Sequence, residues 1–136
     1  MQRPIMEEKY NNSTQQRPEG ARPLDAAIIP IDVPKYINQL KHEEAYDRNG
    51  KNAITVFKSE RITVTLIVLK KGQDFHPGKN EDTAIMSVQL ISGELTFESL
   101  GTLTHLKDGE LLMLHQQLSF KATAILESSC LLTLFK

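Results

Sequence analysis

The stretch Gly109-Glu110-Leu111-Leu112-Met113-Leu114-His115-Gln116-Gln117-Leu118-Ser119-Phe120-Lys121-Ala122 decides how this chain is read. Residues 110–115 are dominated by leucine and methionine and read as a strand. A polar turn follows, and the chain re-enters an extended run through Phe120. In that run Phe120, Ala122 and Ala124 fall on one face and Lys121 and Thr123 on the other, the period of a strand with one buried side.

Working outward, the same texture covers the second half of the chain. Residues 53–58 and 61–69 are rich in Ile, Val and Thr and read as an antiparallel hairpin turning at Ser59-Glu60. Further strands are predicted over 84–92, 93–98, 102–106, 120–126 and 129–135, with glycine or polar turns between them at fairly regular spacing. That pattern indicates a sandwich or a closed barrel, which leaves few exposed edges. On the N-terminal side, Asp32 caps a short amphipathic helix whose first turn holds Val33 and Pro34. Tyr36, Ile37 and Leu40 share its apolar face, and it ends near Lys41. Residues 42–52 read as a polar connector with a turn at Asn49-Gly50. Residues 26–31 are apolar but contain Pro30, which suits an edge strand or a segment crossing onto a partner subunit. Residues 1–23 hold too few apolar side chains to offset their ordering entropy and are expected to form a flexible arm. Residues 24–136 are expected to form the folded domain.

Composition bounds the function. A chain of 136 residues, 40% hydrophobic and 24% charged, fits one globular domain with a buried core. A formal net charge of -1 leaves no basic excess to neutralise a phosphate backbone, so nucleic acid is not an expected partner. No stretch is apolar enough to cross a bilayer, the N-terminus lacks the apolar core of a signal peptide, and the single cysteine, Cys130, cannot form an internal disulfide. A cytoplasmic location, with no membrane partner, is the resulting expectation.

Residues 72–93 and 109–124 carry a family resemblance: this chain resembles a small single-domain cupin of the RmlC-like type. The runs 88–97 and 106–114 are similar to small cupins well beyond the motif glycines. The resemblance implies an all-β fold, the cupin double-stranded β-helix or jelly-roll barrel, here with a short N-terminal helix and an extended N-terminal arm and with the motifs spanning 72–134. Carried over position by position, the second cupin motif matches at Gly109. It places His115 at its proline, Gln117 at its second glycine, Phe120 at its metal-ligand histidine and Ala124 at its closing asparagine. In the first motif, counting back from Gly93, Met86 stands at the ligand glutamate. The loop after Gly72 is longer than the motif allows. Its two histidine positions therefore fall on Gly78 and Asn80, on Lys79 and Glu81, or on Asn80 and Asp82, and none of these is histidine.

A transition metal needs imidazole and carboxylate donors converging on it, and the aromatic ring of Phe120 and the thioether of Met86 do not supply them. No metal, cofactor or catalytic residue is therefore expected. The candidate pocket is lined by Met86, Val88, Leu90 and Phe120 inside the barrel, with His76 and His115 at its mouth. The chain is expected either to bind a small apolar or amphipathic ligand there or to act as a regulatory or structural homodimer, and a homodimer is the expected assembly. The competing expectation is a metal-dependent enzyme of the dioxygenase or isomerase type, with a displaced site around His76, Glu81 and Asp82. His42 and His105 read as surface residues and Cys130 as a buried structural thiol. The nucleophile elbow of hydrolases and the glycine-rich phosphate loop are both missing from the sequence.

Overall fold

A computed structural model describes residues 8–76, 83–115 and 119–136. In chain order the elements are β1 (Lys9–Asn11), β2 (Arg22–Asp25), α1 (Val33–His42), α2 (Glu44–Asn49), β3 (Lys51–Lys58), β4 (Ile62–Leu69), β5 (Asp74–Phe75), β6 (Ile85–Ser92), β7 (Glu94–Ser99), β8 (Thr102–Lys107), β9 (Leu111–His115), β10 (Lys121–Ala124) and β11 (Ser128–Phe135). Two antiparallel sheets face each other, one five-stranded in the order β3-β4-β11-β6-β9 and one four-stranded in the order β5-β10-β7-β8. This is the jelly-roll arrangement expected of the sequence.

Strand alternation sorts the side chains into two cores. Ile67, Leu69, Met86, Val88, Leu90, Leu95, Phe97, Cys130 and Leu132 point between the sheets. Ile54, Val56, Leu66 and Val68 point to the other side of the five-stranded sheet, where Leu40 of α1 and Tyr46 of α2 cover them. The second half of β4 is therefore buried on both faces, which explains why Leu66-Ile67-Val68-Leu69 is apolar without a break. Asp32 caps α1 as expected, its carboxylate accepting the Lys35 N–H at 3.1 Å.

The chain crosses from the five-stranded sheet to the four-stranded one at Gly93, between β6 and β7. Gly93 holds φ 106°, and a Cβ there would lie 2.5 Å from the Glu127 carbonyl oxygen. Only glycine fits so close an approach.

Three expectations are corrected. The polar connector over 42–52 contains α2, because Tyr46 buries its ring against the sheet and donates its hydroxyl to Glu127 Oε1 at 3.0 Å. The Asn49-Gly50 pair is the helix terminus, with Gly50 at φ 74°. Of the two expectations for residues 26–31 the edge strand is not found: they are an irregular connector with Ile28 87% exposed, and the strand in this region lies earlier, at β2. The described part of the arm is not free. β1 and β2 pair as a ribbon, and polar side chains rather than apolar ones attach it to the barrel. Arg17 donates to both Glu43 carboxylate oxygens, to Asn52 Oδ1 and to the Ala53 carbonyl, and Arg22 donates to the Thr55 carbonyl at 2.8 Å.

Candidate ligand-binding site

Phe75 on β5, Phe97 on β7 and Phe120 just before β10 come together because β10 lies between β5 and β7. Register pairs Ala122 with both Phe75 and Phe97. Phe75 meets Phe97 and Phe120 edge-on, with ring centroids 6.4 and 6.0 Å apart, and Phe97 and Phe120 tilt against each other at 5.2 Å. Such edge-to-face clusters are stable beyond their buried area and give a rigid wall. Phe120 is only 3% exposed.

In front of this wall lies a depression of about 200 Å³, with Phe97 and Phe120 at its floor and Leu112, Leu114, Ser99, Leu100, Thr102 and Thr104 around it. Leu112 and Leu114 alternate with the outward Leu111 and Met113 on β9, and Thr104 stands opposite Phe97 across the β7–β8 hairpin. A second, shallower depression of about 430 Å³ shares Ser99, Leu100 and Phe120 with the first and runs on to His76, Glu98 and Lys121. Leu100 stands at the lip of both. It is 81% exposed and holds φ 51°, followed by Gly101 at φ 73°. A non-glycine residue in this region is strained.

The candidate residues divide between these surroundings. Phe120 lines both depressions and His76 lines the second. Met86, Val88 and Leu90 pack deep between the sheets, where Met86 pairs with Leu134 on one side and Leu114 on the other, so they fill the barrel behind the wall. His115 is exposed at the end of β9, opposite Ile85. His105 is exposed on β8 beside Glu94, 3.3 Å from its carboxylate. Gly78, Lys79, Asn80, Glu81, Asp82 and Gln117 lie outside the described residues. The residues that sequence reading missed are Phe75 and Phe97 of the wall, and Ser99, Leu100, Thr102, Thr104, Leu112 and Leu114. The i, i+2 alternation of β8 and β9 carried a signal for the last four.

At the described positions where the resemblance puts metal ligands, the side chains are apolar. Met86, Phe120 and Ala124 are all members of the apolar core, and among the described residues no three His, Cys, Asp or Glu side chains stand together as a metal site. Cys130 is buried, and burial pushes its thiol up to about 12.

No protein-family model matches this chain, and no curated protein matches it significantly. Solved structures do. A cupin superfamily protein from Desulfitobacterium hafniense DCB-2 superposes with a TM-score of 0.62 at 14% identity, covering 93% of this chain and 97% of that one. An RmlC-like cupin protein from Desulfovibrio desulfuricans gives a TM-score of 0.60 at 18% identity, over 66% of this chain and 86% of that one. Salicylate 1,2-dioxygenase from Pseudoaminobacter salicylatoxidans gives 0.60 at 11% identity, over 74% of this chain but 31% of its own length. At these identities the likeness speaks for the fold and not for any chemistry.

Proposed function

We propose that this chain, whose fold is that of the cupins, binds a small apolar or amphipathic molecule in the depression in front of Phe120, without a metal ion. The observation that carries the reading is the replacement of a donor by a wall. Where the resemblance puts a metal ligand, Phe120 joins Phe75 and Phe97 in an aromatic cluster, of which Phe97 and Phe120 form the floor of an apolar concavity. The hydroxyls of Ser99, Thr102 and Thr104 give that concavity a polar side, the arrangement that orients an amphipathic guest. A cavity of about 150 Å³ takes up benzene, so about 200 Å³ suits a substituted single ring or a molecule of similar size.

Indole is a suitable probe because the chain has no Trp, leaving indole fluorescence readable against the protein. Wild type is expected to bind it saturably. Thr104→Glu, which sets a carboxylate into the depression from an exposed strand position, is expected to abolish binding while leaving the thermal transition in place. Equal binding by wild type and Thr104→Glu would remove the proposed site.

A homodimer is the second reading, supported by β9. It closes the five-stranded sheet as an edge strand, has no charged side chain to deter pairing, and turns Leu111 and Met113 outward at 55% and 54% exposure. A second copy, presenting the same strand about a two-fold axis, covers that face. Light scattering after gel filtration is expected to give twice the 15.4 kDa chain mass, falling to the monomer value in Met113→Lys. A monomeric wild type would end this reading.

A further inference from the structure

The β1–β2 ribbon does not lie flat on the barrel. Between it and α2 is a cleft of about 490 Å³, on a different part of the molecule from the aromatic wall and built from different chemistry. Arg17, Arg22, Asn11, Thr14, Gln16 and Asn52 line it, so its walls are guanidinium, carboxamide and hydroxyl groups. Three arginines and two glutamates face the cleft, which leaves one net positive charge.

The two inner arginines differ in how their charge is met. Arg17 is paired: its guanidinium reaches Glu43 Oε1 at 2.9 Å, and Glu43 also accepts from Asn52 Nδ2 at 2.9 Å and Gln39 Nε2 at 3.2 Å. Arg22 is 7% exposed, and it donates to neutral groups, from Nε to the Thr55 carbonyl and from Nη1 to the Gly20 carbonyl. Among the described residues it has no carboxylate partner. Burial, with the Arg17 charge adding to it, outweighs the opposing pull of Tyr36 and Glu43 and holds Arg22 below its ordinary value. A buried guanidinium bonded only to neutral groups is less favourable than one in direct contact with an anion.

We propose that this cleft binds a small oxyanion, a carboxylate or a phosphate monoester on a hydroxylated or amide-bearing body, held by the Arg22 and Arg17 guanidinium groups. The planar fork of a guanidinium matches two oxygens of either anion, and the carboxamides around it serve the polar body. Glu43 sets the affinity, because its carboxylate already occupies the Arg17 fork and competes with the incoming anion.

Inorganic phosphate and gluconate, each titrated into the full chain against sodium chloride at equal ionic strength, are the probes. The arginine Nε–H and Asn52 side-chain signals in ¹H–¹⁵N NMR are the readout. Saturable shifts at Arg22, Arg17 and Asn52 are expected beyond those caused by chloride. A preference for phosphate assigns a phosphate ligand, and a preference for gluconate assigns a hydroxylated carboxylate. Arg22→Gln is expected to weaken binding at least about tenfold, and Glu43→Gln to tighten it about tenfold, since a competing charge-assisted bond is removed. A purely structural Glu43 would not produce a gain. Shifts no larger than those in chloride, shifts located elsewhere, or unchanged or weaker binding in Glu43→Gln would each overturn the proposal.

Discussion

Leu100→Asn separates fold from function in one substitution. Leu100 and Gly101 are the central residues of the β7–β8 hairpin loop and both have positive φ, the pattern of a type I′ turn, in which Asn-Gly is the favoured pair. A leucine in the left-handed region carries roughly 1–2 kcal/mol of strain, most of which asparagine relieves. Leu100 is 81% exposed and contributes almost no packing in return. Leu100→Asn is therefore expected to stabilise the protein by about 1 kcal/mol, raising Tm by about 3–5 °C at this chain length. The same change removes the apolar lip of the depression. Full burial of a leucine side chain is worth about 1.5–3 kcal/mol; a ligand covering half of it gains about 1 kcal/mol, so Kd for indole should rise about fivefold. Thermal unfolding by circular dichroism and indole titration on the same preparation read both effects. Their opposite signs matter, because general disruption lowers Tm and binding together. A variant that melts higher and binds indole as tightly as wild type would refute the role of Leu100 in the site. One that melts lower would refute the strain argument.

Gly93→Ala should lower stability by more than about 2 kcal/mol in chemical denaturation, since a Cβ meets the Glu127 carbonyl and Ser128 at positive φ; a change under about 0.5 kcal/mol would contradict the close approach. Burial raises the Glu43 carboxyl, but hydrogen bonds from Arg17, Asn52 and Gln39 outweigh this and hold it below its ordinary value. The resulting stability is present above the unfolded-state value and is lost as pH falls through the lower folded-state one. Denaturation at several pH values should therefore find wild type more stable than Glu43→Gln at neutral pH, with the gap closing in acid; a constant gap would contradict the assignment. Cys130 should react with a thiol reagent no faster than the protein unfolds, and a rapid phase in native buffer would show that the thiol is accessible.

Much of the barrel was legible because its strands follow simple rules. The alternation in 61–69 and 84–92, the glycine turns and the Asp32 cap each act within a few residues, and each appears in the fold close to its expected place. What was missed depends on partners distant in sequence. The polar segment 44–49 reads as a loop until Tyr46 finds the outer face of β3 and β4. The ribbon at 9–25 has too little apolar surface to dock by burial, and Arg17 and Arg22 dock it instead through hydrogen bonds to Glu43, Asn52 and backbone carbonyls. The site divides in the same way. Phe120 stood out from its position in the motif, but Thr104 and Leu114 join it only through the β7–β8 pairing and the register of β6 with β9. Sequence alternation put Met86, Val88 and Leu90 on the inner face, and side-chain packing then decided that they form the body of the core and not the wall of the cavity.

The central claim is that a small apolar molecule rests on the Phe120 wall. Intermolecular nuclear Overhauser contacts between bound indole and the protein test it most directly. The expected result is contacts to the methyl groups of Leu100, Leu112 and Leu114 and to the Phe120 ring, unchanged by a metal chelator. Contacts confined to Leu111 and Met113 on the outer face of β9, or binding that disappears with the chelator, would contradict it.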